Sequence, residues 1–319
     1  MLSLSRANYS LTQLEYVRAV HQHGHFAKAA EACQVTQPTL SMQIQKLERD
    51  LSIIIFDRSK KPILLTDSGR KIIHQIQNIL FEAKKMEDLI KPNQSNKLEG
   101  QLNLGVIPTI APYLLPRLLP MLEKTVPGLR LRILERQTGQ IIQALNNDEI
   151  DVGLLATPLK MAQIFEFPLY YEPFSVLCMK GHDLSKVKKV KYSGLKFEDL
   201  WLLEEGHCLR NQMLDVCSKK NNHHTRKYEF ESGSIETLKN LVNSYGGYTL
   251  LPALAADSMG AKSVLVPFER PIPAREIGLV YRRAQYKKDL IEAMGDSIIN
   301  CLPEEIRKIR PKDLDVLPI

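Results

Sequence analysis

Two apolar rhythms that no single layer of packing can satisfy divide this 319-residue chain. Between Thr12 and Ile90 apolar residues recur every three or four positions, the period of helices. From Leu98 onward, runs such as Leu102-Asn103-Leu104-Gly105-Val106 alternate at period two, with helical stretches between them. The break falls at Lys91-Pro92-Asn93-Gln94-Ser95-Asn96, a polar, proline-containing hinge. The length suits two or three domains. The pattern predicts a multidomain α+β chain: a helical body with a small hairpin at 1–68, a long helix and hinge at 69–97, and an α/β body at 98–319.

The first body reads as three short helices. Thr12 and Glu15 have the spacing of a capping box, and Leu14, Val17 and Val20 share one face. Phe26 to Cys33 is rich in alanine, so another helix can cross it closely, and Gln34-Val35 makes a tight turn. Thr36 is the expected N-cap of the third helix, with Pro38 tolerated in its first turn and Leu40, Ile44, Leu47 and Leu51 facing inward. The opposite face then presents Pro38, Thr39, Met42, Gln45, Lys46 and Arg49, with Gln37 and Ser41 at its leading end. Several of these groups can reach base edges or phosphates in a major groove. Ile53 to Phe56 and Ile63 to Leu65, separated by Asp57-Arg58-Ser59-Lys60-Lys61-Pro62, read as a hairpin with a basic tip. The same pattern fits a three-helix body with no nucleic-acid partner. Nine Lys/Arg against six Asp/Glu in residues 1–70, and +7 for the whole chain, permit DNA binding without requiring it.

Residues Asp67 to Ile90 carry apolar side chains at Ile72, Ile76, Ile79, Ala83, Met86 and Ile90, the four-three spacing of a two-stranded coiled-coil seam. The competing reading is an amphipathic helix lying on its own domain. Beyond the hinge, the order strand, helix Ala111 to Lys124, strand Leu129 to Leu134, helix Thr138 to Asn147, strand Asp151 to Leu155 implies a sheet with helices packed on it. Tyr170 to Met179 opens a second set of elements, and Gly278 to Tyr281 returns as a strand before a helix at Leu290 to Cys301. Open α/β sheets bind ligands beyond the C-terminal ends of their strands. Thr109 and Thr138 stand at such ends, where each is either a group for a very small polar molecule or simply an N-cap.

Five scattered cysteines form neither a disulfide framework nor a zinc knuckle, no apolar run is long enough to span a bilayer, and Met1 to Tyr9 lacks the features of a secretory signal. A cytoplasmic protein without metal or organic cofactor is the expectation. Cys208 and Cys217 stand apart from the other cysteines. A helix over 208–219 would put their sulfurs on opposite faces, ~13.5 Å apart along the axis, whereas a disulfide needs Cα atoms within about 7 Å. Joining them would require the segment to unwind. His207, Arg210 and a helix N-terminus favour a reactive thiolate at Cys208, while Glu204 and Glu205 oppose it. Cys33, Cys178 and Cys301 read as structural. Lys186, Lys188, Lys189 and Lys191 read as a solvated loop, and His223-His224 as surface.

Phe26-Ala27-Lys28-Ala29-Ala30, Thr36-Gln37-Pro38-Thr39-Leu40-Ser41, Gln43-Ile44-Gln45-Lys46-Leu47-Glu48, Phe56-Asp57-Arg58 and Leu65-Thr66-Asp67-Ser68-Gly69 together resemble the winged helix-turn-helix of the LysR-type transcriptional regulators. Ser52 departs from the glycine usual there, and Met42 replaces a more polar residue. The resemblance implies a double-stranded DNA partner read by Gln37, Pro38, Thr39, Ser41, Met42, Gln45, Lys46 and Arg58. It also implies a homodimer through the linker helix that commonly becomes a tetramer, contact with RNA polymerase, and a regulatory region of two lobes like a periplasmic solute-binding protein. Gly105 to Thr109, Glu135 to Thr138, Gly206 to Arg210, Cys217, Ser234 to Leu238, Thr249 to Leu254 and Ile277 to Arg282 resemble the peroxide-responsive members of that family.

In those members Cys208 would attack hydrogen peroxide and join Cys217, with Thr109, Thr138, His207 and Arg275 shaping the site and a cellular dithiol resetting it. The product would be an activator of oxidative-stress genes rather than an enzyme. Two other readings compete with it. One is a regulator answering an organic effector with inert cysteines. The other is a thiol peroxidase, which the winged domain disfavours.

Overall fold

The computed structural model describes residues 9–90, 98–216, 233–257, 262–283, 285 and 287–319. The chain divides into two compact units, Met1–Asn93 and Gln94–Ile319.

In the first unit, α1 (Leu11–His23), α2 (Phe26–Ala32) and α3 (Gln37–Asp50) precede a two-stranded hairpin, β1 (Phe56–Asp57) and β2 (Leu64–Leu65), and the long helix α4 (Asp67–Ile90). The cap of α1 lies two residues earlier than the Thr12–Glu15 spacing suggests. Ser10 is the N-cap, its hydroxyl accepts from the Gln13 N–H, and Gln13 Oε1 accepts from the Ser10 N–H. Starting there turns Leu14, Tyr16, Val17 and Val20 into the core. Thr36 caps α3 as expected, and Leu40, Ile44 and Leu47 are fully buried, worth roughly 1.5–3 kcal/mol each. The hairpin strands are shorter than expected, because Glu48 takes over the bonding at their root. Its Oε1 accepts the N–H groups of Ile55 at 2.8 Å and Phe56 at 3.3 Å.

Ser52 sits at φ 54°, the left-handed region that favours glycine. Ser52→Gly is expected to raise the stability of this unit by about 1 kcal/mol, measurable by thermal unfolding. Unchanged stability would show that the serine is not strained.

Over its first half, helix α4 follows the reading of an amphipathic helix lying on its own domain. Ile73, Ile76 and Leu80 are buried in the core of the first unit, so Ile76 belongs to the domain and not to an outward seam. Ile72 and Ile79 pack against that core only in part, and Met86 is exposed.

The second unit contains an eight-stranded sheet among the described residues. Its elements are β3 (Gly100–Val106), α5 (Ala111–Thr125), β4 (Leu129–Glu135), α6 (Thr138–Asn146), β5 (Val152–Thr157), β6 (Ile164–Met179), α7 (Cys208–Val216), α8 (Ile235–Tyr245), β7 (Tyr248–Pro252), β8 (Ser263–Pro267), β9 (Ile272–Arg282), α9 (Lys288–Cys301), α10 (Glu304–Arg307) and β10 (Leu314–Val316). The strand order is β4-β3-β5-β9-β6-β7, with β8 on β6 and β10 on β9. Strands β3, β4 and β5 are parallel, and β9 runs antiparallel to β5 and β6.

Two apolar cores define two lobes. Ile164 and Tyr170 of β6 belong to one and Phe174 to Cys178 to the other, so β6 and β9 are the crossing segments. Strand β10 has no clear signature in the sequence. It extends the sheet along β9, Leu317 N–H donates to the Ala274 carbonyl at 2.9 Å, and Leu317 is buried in the second lobe.

Candidate functional site

Cys208 is the first residue of α7 and is half-buried with a free thiol. Its Sγ lies 3.0 Å from Thr138 Oγ1, a pair that can share a proton in either direction. Thr138 is the first residue of α6 and Gln137 is the N-cap, so the hydroxyl is not spent on capping. Thr109 is not a cap either, since Ile110 precedes α5. Val106 pairs with Glu135 across the parallel strands β3 and β4, so both threonines stand beyond the C-terminal ends of neighbouring strands.

The turn into α7 is tightly specified. Gly206 has φ 93°, and a Cβ there would come within 2.5 Å of Gln137 Oε1. Gln137 Nε2 lies 3.4 Å from both Glu204 Oε1 and His207 Nε2, and His207 Nε2 is 3.5 Å from Glu204 Oε1. His207 is buried within this triad. Arg210 differs from expectation: its Nη1 donates to the Leu203 carbonyl at 2.7 Å, so it braces the segment before the helix. On the inner side, Leu209, Met213 and Val216 enter the core, and Gln212 Nε2 donates to the Leu317 carbonyl at 3.5 Å. By Val216 the helix has carried the chain about 12 Å from Cys208, beyond disulfide reach. Cys217 and His223-His224 lie outside the described residues.

Thr109 belongs to a second cluster. Arg275 Nη1 donates to Thr109 Oγ1 at 2.9 Å and Nη2 to the Thr109 carbonyl at 3.1 Å. Its other edge meets Glu172 Oε2, at 2.9 Å from Nε and 2.8 Å from Nη2. No sequence pattern marks Glu172 or Tyr170 as site residues. Tyr170 beside this pair is fully enclosed, and burial, reinforced by the Glu172 carboxylate, pushes its phenol well up.

Burial works against the thiolate at the other described cysteines. Burial raises Cys33 and Cys301, and pushes Cys178 in β6 up to about 11. A thiol must lose its proton to react, so this burial holds Cys178 back from reaction at pH 8. With iodoacetamide at pH 8, peptide mapping is expected to find Cys208 modified and Cys178 not. Modification of Cys178 in the folded protein would contradict its burial. Among the described residues no group of three or more His, Cys, Asp or Glu could hold a metal ion.

In the first unit, α3 turns Gln37, Pro38, Met42, Gln45, Lys46 and Arg49 to solvent, with Thr39 and Ser41 half-buried. Met42 is 61% exposed, unusual for so apolar a side chain on a helix with a full inner stripe. Arg58 is held by the protein itself: it pairs with Glu48 at 3.0 Å, lies 5.0 Å over the Phe26 ring and reaches Ser41 Oγ at 3.5 Å. It therefore ties the hairpin to α2 and α3. Lys186, Lys188, Lys189 and Lys191 are exposed, with Lys186 paired to Asp183 and Lys191 to Glu269.

A helix-turn-helix with a short hairpin, followed by a long helix and a two-lobed α/β unit, defines a class of bacterial DNA-binding regulators. Residues 11–70 match the bacterial regulatory helix-turn-helix protein model of the lysR family and residues 95–300 match the LysR substrate binding domain, so the chain belongs to the LysR family. Within that family it is similar to the DNA-binding transcriptional dual regulator OxyR of Escherichia coli, 35% identical over 291 residues that cover 91% of this chain and 94% of that protein. A full-length OxyR variant from Pseudomonas aeruginosa superposes with a TM-score of 0.75 at 36% identity, covering 91% of this chain and 97% of that one. A hydrogen peroxide-bound OxyR mutant from Corynebacterium glutamicum gives a TM-score of 0.61 at 29% identity, covering 92% of each chain. No helix of the described residues is long and apolar enough to cross a membrane.

Proposed function

We propose that this chain is a cytoplasmic hydrogen peroxide-responsive transcriptional regulator that activates oxidative-stress genes, with Cys208 and Cys217 as its redox pair. The observation that carries the reading is the 3.0 Å pairing of Cys208 Sγ with Thr138 Oγ1 at the start of a nine-residue helix. The Cys208 sulfur attacks one peroxide oxygen, the O–O bond breaks, and the departing hydroxide takes a proton and leaves as water. Cys208 is thereby oxidised to a sulfenic acid. The Cys217 thiolate then attacks that sulfur, the S–O bond breaks with loss of a second water, and a disulfide forms. Two thiols and one peroxide become one disulfide and two waters. Thr109, Thr138, His207 and Arg275 shape the peroxide site, and a cellular dithiol reverses the bond.

Helix α7 places Val216 out of reach of Cys208, so closing the bond means unwinding the helix and withdrawing Leu209, Met213 and Val216 from the core. That is the conformational signal. Gln37, Pro38, Thr39, Ser41, Met42, Gln45 and Lys46 address DNA, with Arg58 setting the hairpin beside them. The outward stripe of α4 pairs two subunits, two such pairs make the tetramer common in the family, and RNA polymerase is the downstream partner. The boundaries that go with this division of labour are 1–68, 69–97 and 98–319. The test is a DNA footprint of reduced and peroxide-treated protein on its own upstream region, with peptide mapping of the same samples. A Cys208–Cys217 peptide accompanied by a changed footprint is expected. A footprint indifferent to peroxide, or no such peptide, would overturn the proposal.

A further inference from the structure

Glu172 and Arg275 face each other across β6 and β9, at the point where both strands pass from one lobe to the other. Both side chains are 1% exposed. Taking two charges out of water costs several kcal/mol per ion unless the geometry is well satisfied, so the arrangement asks what the pair is for. Glu172 is fully engaged: Oε1 accepts the Leu254 N–H at 2.9 Å, and Oε2 accepts Arg275 Nε and Nη2. Arg275 in turn spends Nη1 and Nη2 on the hydroxyl and the carbonyl of Thr109. A guanidinium has five N–H groups, of which four are used here, and the Thr109 oxygen that accepts from it keeps its own hydrogen to give. One Nη1 hydrogen and the Thr109 hydroxyl hydrogen are thus left without partners among the described residues.

We infer that Glu172 is a positioning residue for peroxide reduction at Cys208, acting by clamping the Arg275 guanidinium so that Thr109 and Arg275 present these two donors. The inference rests on the peroxide reading above and adds the residue that holds the donors in place. A flat guanidinium gripped along one edge by a carboxylate cannot rotate without breaking two charge-assisted bonds. Glutamine at 172 would keep an acceptor for Leu254 but lose the charge, and would aim N–H groups at N–H groups if its amide turned toward Arg275. Aspartate would keep the charge and draw the guanidinium back by one methylene. Misplacement on the order of 1 Å costs up to about a hundredfold in rate.

The experiment measures two rates at Cys208 in the full chain, oxidation by hydrogen peroxide and alkylation by iodoacetamide, for wild type, Glu172→Gln, Glu172→Asp, Arg275→Gln and the double variant Glu172→Gln/Arg275→Gln. Wild-type oxidation is read first, because its absence defeats the peroxide reading itself. Given that oxidation, Glu172→Gln and Glu172→Asp are each expected to slow it at least about tenfold while alkylation stays within about twofold of wild type, a split that a merely loosened fold would not produce. The double variant is expected to oxidise no more slowly than Arg275→Gln alone, since Glu172 acts only through that arginine. Should Glu172→Gln fail to fold with its arginine left unpaired, Glu172→Asp and the neutral double variant carry the same comparison. Peroxide oxidation within twofold of wild type in Glu172→Asp, alkylation slowed in step with oxidation, or additive losses in the double variant would each overturn the inference.

Discussion

Replacing Cys208 with serine is expected to abolish the peroxide response while leaving reduced-state DNA binding intact. The serine hydroxyl is somewhat smaller than the thiol and can still hydrogen-bond to Thr138 Oγ1, so α7 stays wound and its inner residues stay seated. A hydroxyl does not ionise at neutral pH and has no accessible oxidation ladder, so the reacting group itself is lost. The rate of peroxide-driven change in the DNA footprint should fall by at least about a thousandfold, as when a nucleophile is removed outright. The affinity of the untreated protein for the same DNA should stay within about twofold, because the helix-turn-helix belongs to the other compact unit. A variant that still shifts its footprint with peroxide would mean that another group senses the oxidant.

Gly206→Ala should act in the opposite direction and bias the protein toward its oxidised form. The added Cβ would stand 2.5 Å from Gln137 Oε1, on a backbone at φ 93° that side chains rarely adopt. Both penalties fall on the wound helix: Gln137 must withdraw from Glu204 and His207, and the turn that launches α7 is strained. Once the segment has refolded around a disulfide, neither penalty applies. A strain of about 1–2 kcal/mol confined to the reduced form shifts the redox equilibrium roughly 5–30-fold, and 1.4 kcal/mol corresponds to about 30 mV for a two-electron couple. Titration against a thiol–disulfide buffer should therefore place the variant's midpoint about 30 mV more negative. A midpoint equal to wild type would show that the turn survives oxidation unchanged.

How much of this the residues announce depends on whether a contact is local. Helix α4 runs from Asp67 to Ile90, as its spacing predicts, and Thr36 caps α3, because both depend on neighbours within a turn or two. The α1 cap shows where local rules tie. Ser10–Gln13 and Thr12–Glu15 both have capping-box spacing, and only the three-dimensional core decides between them. Ile76 fits a coiled-coil seam by period, yet α1 lies alongside α4 and takes it for the domain core. Cys208, Thr109 and Thr138 can be named as candidates from the sequence, but the side chains that brace them cannot. Gln137 meets Glu204 across 67 residues of sequence and Glu172 meets Arg275 across 103, so no window of the chain contains both partners. Proximity in sequence assigns Arg210 to Cys208, and the fold sends its guanidinium to the Leu203 carbonyl instead.

The bond from Gln212 to the Leu317 carbonyl links residues 105 positions apart. Chains are made from the N-terminus and fold as they emerge, so α7 appears well before strand β10 and the leucine that closes the floor beneath it. Leu317 is therefore among the last parts of the seat of α7 to be made, although it closes the same core as Leu209, Met213 and Val216.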